Sequence, residues 1–188
     1  MAKHVCPWWL GYFLASPIRR LAQKPEEVVS PYVRDGMRVL EPGPGMGFFT
    51  LPMARMVGST GRVIAVDIQP KMLATLRRRA EKAGTLERIE TRLTQPGTLG
   101  IASLAGSVDF VLAWYMVHEL PSPETFFREV AAALKPGATV LFGEPTGHVK
   151  QDKFAAELQA AQDAGLAVAS RPVIRRTMAA VLRKAEGR

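Results

Sequence analysis

The chain has 188 residues, of which 47% are hydrophobic and 22% charged, the balance of an ordinary soluble globular domain, and no apolar run approaches the ~18 residues that a membrane span needs. A formal charge of +8 keeps an anionic partner (RNA, an acidic small molecule or a lipid surface) in view. The single cysteine, Cys6, excludes an internal disulfide and fits a reducing cytoplasm; with no CxxC pair, and with His4, His118 and His148 at spacings that match no zinc pattern, no metal is expected.

Hydrophobic period and Gly/Pro punctuation predict strands alternating with helices. Val5 to Ala15 imitates a secretory signal, but Pro7 and Gly11 interrupt it and no small-residue cleavage site follows. The first strand is expected at 37–42, with a helix from Phe48; the second at 62–67, followed through Pro70 by a helix carrying Met72, Leu73, Leu76, Ala80 and Ala83 on one face. Arg77, Arg78, Arg79 and Lys82 then form the solvated side of that helix. A weaker strand at 88–93 and an ill-defined stretch at 96–105 lead to a strand at 108–117 that is too apolar to face water on either side. Ser122 as N-cap and Pro123 at the first helical position open a helix through Leu134, closed by Lys135-Pro136-Gly137. A strand at 138–144, a helix with Phe154, Leu158 and Ala161 ending at Gly165, and strands at 166–171 and 177–184 that pair as a hairpin complete the chain. The pattern predicts one domain over 25–188, a Rossmann-like doubly wound α/β fold whose mainly parallel seven-stranded sheet ends in an antiparallel hairpin, after an aromatic segment over 1–24. Ligands of such sheets sit at the carboxyl ends of the strands.

The stretch VLEPGPGMGFFT at 39–50 joins a buried strand to a helix through Gly43, Gly45 and Gly47, where glycine admits positive φ and close backbone approach to a ligand. Asp67 ends the next strand, placed to accept hydrogen bonds from ribose hydroxyls. Dinucleotide enzymes share that logic, but their glycines are spaced G-x-G-x-x-G, and Glu41 would repel a pyrophosphate while suiting the positively charged amino group of a methionine moiety.

On these residues, on VDIQPKML at 66–73 and on the block from Val108 to Pro145, the chain resembles the class I S-adenosylmethionine-dependent methyltransferases, in particular the small-molecule branch of ubiquinone and menaquinone biosynthesis. The resemblance implies S-adenosylmethionine as cofactor, with Glu41, Gly43, Gly45 and Gly47 around its methionine end, Asp67 on the ribose, Ile68 against the adenine and Trp114 in the cofactor wall. Members usually carry an acidic residue after the third strand for the adenine amino group; here Thr94 and Gln95 stand there, and the Gln95 carbonyl can accept that bond.

Methyl transfer needs orientation and, for an acceptor that must lose a proton, a base. Tyr115, His118, Glu119, Glu144 and His148 all fall near the ends of the fourth and fifth strands. His118 has the pKa for the task and His148 the loop position, although an imidazole at 118 can equally order its loop. Trp8, Trp9, Tyr12 and Phe13, with Arg19 and Arg20 nearby, leave three roles open for the N-terminal segment: a lid over an apolar acceptor, a cap on the core, or a dock on an anionic membrane. The expected activity is methyl transfer to a small molecule; RNA or protein methylation, cofactor binding without catalysis and, more distantly, NAD-dependent oxidoreduction are its rivals.

Overall fold

The structure, a computed structural model, describes residues 23–186. His4, Cys6, the N-terminal aromatics, Arg19 and Arg20 lie outside the described residues, as does the expected 1–24 segment except for Gln23 and Lys24. The chain divides into two compact units, one reaching to Thr94 and the other starting at Gln95.

In the first unit, helix α1 (Pro25–Val29) is followed by β1 (Arg38–Pro42), α2 (Thr50–Met56), β2 (Arg62–Asp67), α3 (Pro70–Lys82) and β3 (Ile89–Leu93). The strands run parallel in the order β3-β2-β1, with Glu41 opposite Ala65 and Pro42 opposite Val66. Val39, Leu40, Val63, Ile64 and Ala65 are all inaccessible to solvent, which explains why β1 and β2 read as continuous apolar runs. Helix α3 buries Met72, Leu73, Leu76 and Ala80 and leaves Arg77, Arg78 and Lys82 in water, as the period predicts. Helix α1 carries no periodic signal, being a single turn begun by Pro25 and too short to show one, although Val28 and Val29 are buried. The helix expected from Phe48 begins at Thr50, because Gly47, at φ 88°, still belongs to the turn leaving β1.

The second unit holds β4 (Val108–Trp114), α4 (Pro123–Ala133), β5 (Leu134–Pro145), α5 (Gln151–Asp163), β6 (Leu166–Ser170) and β7 (Thr177–Lys184), in the strand order β4-β5-β7-β6. β4 and β5 are parallel, whereas β7 runs antiparallel to both β5 and β6, so the expected hairpin forms. Phe142 of β5 meets Phe127 of α4 edge-on at 5.4 Å and stacks on Phe154 of α5 at 5.1 Å, which pins both helices to the strand. Across the described residues the seven strands, mostly parallel with a C-terminal antiparallel hairpin and helices between them, match the expected Rossmann-like class.

Two boundaries differ from expectation. The fourth strand stops at Trp114, not at residue 117: Tyr115 adopts φ 58° while its N–H still reaches Gly143 O at 2.8 Å, and the chain turns into a 3₁₀ segment, Val117–Glu119. Val117 is fully buried there, so its apolarity reflects packing in a turn and not extension. Lys135-Pro136-Gly137 does not separate α4 from the next strand but lies within β5, where a register irregularity between Val108 and Phe110 and φ 73° at Gly137 absorb it.

Ser122 caps α4 as expected, its Oγ accepting from Thr125 N at 3.1 Å. Ser122→Ala is expected to lower stability by about 1 kcal/mol, seen as a melting temperature about 2–4 °C lower in a chain of this size; an unchanged midpoint in calorimetry would show that Pro123 alone suffices to start the helix.

Candidate functional site

At the carboxyl end of β1 the buried Glu41 carboxylate accepts a hydrogen bond from Thr50 Oγ1 at 2.6 Å, from the first residue of α2. Between them Gly43, Gly45 and Gly47 all adopt positive φ, which L side chains rarely tolerate. Gly45 and Gly47 are demanded for different reasons. A Cβ on Gly47 would come within 2.5 Å of Leu76 Cδ1 on α3, so packing requires glycine; a Cβ on Gly45 would meet nothing within 4 Å, so the loop leaves open space there. The Arg79 guanidinium donates to the Met46 carbonyl, bracing the loop from α3. One strand over, Asp67 ends β2 in a buried position, its Oδ1 accepting from Gln69 N at 2.9 Å, with Ile68 half-buried beside it. Two buried carboxylates thus stand at the ends of neighbouring parallel strands, the first followed by a glycine loop, and their chemistry is that of acceptors for hydroxyl and cationic groups.

In the second unit the turn after β4 brings His118 onto Glu144, which is completely buried near the end of β5. Glu144 grips it twice: Oε2 lies 2.6 Å from Nδ1 and Oε1 accepts the His118 backbone N–H at 3.1 Å. A carboxylate only accepts, so Nδ1 is the protonated nitrogen and Nε2 carries the lone pair. Glu119 Oε1 stands 3.9 Å from Nε2, and Lys153 of α5 donates to the His118 carbonyl at 2.8 Å. Burial is the largest single influence on the imidazole and lowers its pKa, but the hydrogen bond to Glu144, the Glu144 charge and Glu119 together outweigh burial and Lys153, leaving the pKa above its ordinary value. His148 is exposed on the loop after β5, its ring 5.0 Å from that of His118 and inclined at 71°.

Tyr115 turns its hydroxyl to Thr177 Oγ1 at 2.5 Å and stacks on Trp114. Trp114 itself lies over Gly143, where any Cβ would be 2.5 Å from the indole, so its ring is committed to the β5 backbone and to Tyr115. Gln95 is exposed at the beginning of the second unit. Sequence reasoning missed three functions that only packing reveals: Glu144 as the anchor of His118, Arg79 as a brace instead of a solvated charge, and Glu157. The last is 2% exposed on α5, and neither carboxyl oxygen has a hydrogen-bond partner. Burial, then the nearby Glu144 charge, push its pKa up to about 7 against the opposing influence of Lys153 and His118. Among the described residues no group of His, Cys, Asp and Glu side chains could hold a metal ion, and no helix is long and apolar enough to cross a membrane.

Residues 39–137 match the family described as a methyltransferase domain. Arsenite methyltransferase of Halobacterium salinarum is 33% identical over 58% of this chain and 27% of its own length, and ubiquinone biosynthesis O-methyltransferase of Methylocella silvestris is 29% identical over 72% of this chain and 50% of its own. The chain thus spans half or less of the length of these curated relatives. A solved SAM-dependent methyltransferase from Aquifex aeolicus shares the fold over 95% of this chain and 98% of its own, with a TM-score of 0.82 at 24% identity.

The Glu157 environment has a measurable sign. Its folded pKa of about 7 lies above the ordinary 4.5, so the fold favours the protonated acid; the stabilisation is complete below the ordinary value and is lost as pH rises through about 7. Glu157→Gln is expected to melt close to the wild type at pH 5 and several degrees higher at pH 8.5. A melting difference that does not grow with pH would mean that the carboxyl is already ionised in the fold at neutrality.

Proposed function

The chain belongs to the family of class I S-adenosylmethionine-dependent methyltransferase domains, and from that premise we propose that it transfers a methyl group to a small-molecule acceptor whose proton is removed by His118. S-adenosylmethionine, when bound, supplies the electrophilic methyl, so the chain's own residues bind, orient and handle a proton.

The observation that carries the reading is in the first unit: two buried carboxylates, Glu41 and Asp67, at the ends of the adjacent parallel strands β1 and β2, with a positive-φ glycine turn after β1 that leaves open space at Gly45. These residues fit the cofactor's chemistry. Glu41, held by Thr50, matches the cationic amino group of the methionine moiety; Asp67 matches two vicinal ribose hydroxyls; Ile68 offers an apolar edge to the adenine. The resemblance assigns Gln95 to the adenine amino group and Trp114 to the cofactor wall, and these remain assignments from the resemblance. A dinucleotide reading is weakened by the buried Glu41, which a pyrophosphate would meet as a like charge.

For the acceptor, Glu144 fixes the imidazole with Nε2 as the basic nitrogen and raises its basicity, the role an orienting carboxylate plays beside a catalytic histidine. His148, exposed 5.0 Å away, is the second acceptor-side contact. Small-molecule acceptors are favoured by the names of the curated relatives, an arsenite and a ubiquinone-biosynthesis methyltransferase, and the His118–Glu144 pair suits an acceptor with an ionisable proton. The lone cysteine supports a cytoplasmic location.

Calorimetric titration tests the cofactor assignment. S-adenosylmethionine is expected to bind in the micromolar range and NAD(H) not at all, with Asp67→Ala weakening binding by about 10- to 100-fold through the loss of charge-assisted hydrogen bonds. Binding of NAD(H) alone, or affinity unchanged in the variant, would refute it. With an acceptor found by labelled-methyl screening, kcat is expected to rise with pH through the elevated His118 pKa. Glu144→Gln should move that limb to lower pH and lower its plateau, and His118→Gln should reduce kcat by about 100-fold or more while cofactor affinity persists. A pH profile identical in all three proteins would reduce His118 to a structural residue.

A further inference from the structure

The β6–β7 hairpin ends in a loop that neither cofactor binding nor proton transfer uses. Val173 at its apex is fully exposed, and the only other exposed large hydrophobic among the described residues is Leu93. Arg171, Arg175 and Arg176 flank Val173 within the six-residue loop and are all exposed, and no acidic residue occurs from 164 to 185. The apex is built, not frayed: Ile174 bridges to Thr177, Thr177 N donates to Ile174 O at 3.0 Å, Thr177 Oγ1 donates to Arg175 O at 3.2 Å, and Thr146 N donates to Arg176 O at 3.1 Å. That last bond ties the apex to the segment leaving β5, the strand whose Glu144 holds His118. Arg171 also lines an open groove of about 560 Å³ against α5, whose apolar walls include Phe154, Leu158 and Met178.

We propose that this hairpin end docks the protein on an anionic lipid surface, with Val173 entering the headgroup region and Arg171, Arg175 and Arg176 on the lipid phosphates. An exposed aliphatic side chain flanked in one short loop by three exposed arginines matches an interface that is apolar below and anionic above. A nucleic-acid backbone would reward the arginines but leave Val173 against phosphate and water, and the apex offers no aromatic ring for base stacking. The inference stands apart from the methyl-transfer reading, since neither the Glu41 and Asp67 carboxylates nor the His118–Glu144 pair contributes to it.

Co-sedimentation of the full chain with phosphatidylcholine vesicles, with and without phosphatidylglycerol, tests it. The wild type is expected to bind the anionic vesicles at least about tenfold more tightly than the neutral ones, since each arginine at the surface contributes about fivefold. Val173→Asp and Arg171→Ala/Arg175→Ala should each lower that binding by about tenfold or more with circular dichroism unchanged. Arg77→Ala/Arg78→Ala, which removes the same charge from the solvated face of α3, should leave it intact. The proposal is overturned if anionic vesicles bind no better than neutral ones, if Val173→Asp binds like the wild type, or if the α3 control loses as much affinity as the hairpin variant. It is equally overturned if the hairpin variants lose retention on polyuridylate while keeping vesicle binding.

Discussion

A buried carboxylate must be hydrogen-bonded or discharged, and four such groups, three near strand ends and one on α5, meet that demand in different ways. Glu41 takes the Thr50 hydroxyl, Asp67 a backbone N–H, and Glu144 both the ring and the backbone of His118. Glu157 lacks a hydrogen-bond partner and is held near neutrality by its pKa of about 7. The first three solutions set the geometry of the loops that follow β1, β2 and β4, so electrostatic necessity and site construction coincide.

The scaffold makes those solutions rigid. In the first unit the glycine turn packs against the Leu76 side chain at Gly47 and is braced by the Arg79 guanidinium at the Met46 carbonyl. In the second, the Phe127–Phe142–Phe154 contacts hold α4 and α5 on β5, and α5 in turn carries Lys153 to the His118 carbonyl and Glu157 towards the Glu144 charge. The left-handed conformation of Tyr115 is the point at which β4 gives up extension, and its hydroxyl bond to Thr177 couples that turn to the hairpin. Backbone strain at a non-glycine residue beside a candidate base is the kind of local cost that surrounding structure sustains at functional sites.

The positive charge of the chain has no single purpose. Arg77, Arg78 and Lys82 do face water, but Arg79, embedded in the same run, turns inward to brace the glycine loop, and the arginines of the hairpin end flank an exposed valine. A count of +8 cannot separate these uses, because charge is a property of composition while its effect depends on which side chains share a surface.

The sequence by itself determined the class of the fold and, through the glycine loop and Asp67, the family and its cofactor. Apolar strands alternating with amphipathic helices leave few topologies open, and the groups from Glu41 to Gly47 and at Asp67 lie close to strand ends that hydrophobic period alone locates. Boundaries were less legible where local conformation overrode composition: Met116 and Val117 are as apolar as the strand before them yet lie beyond a left-handed residue, and Lys135-Pro136-Gly137 has turn chemistry yet lies within β5. Only the tertiary structure decided the pairing of His118 with Glu144. His118 and Glu144 are 26 residues apart, on either side of the helix that joins β4 to β5, and no periodicity within one element reveals a bond formed between two. The pairing depends on parallel register, on the turn at Tyr115 and on the burial of Glu144, three properties that arise only when strands pack side by side.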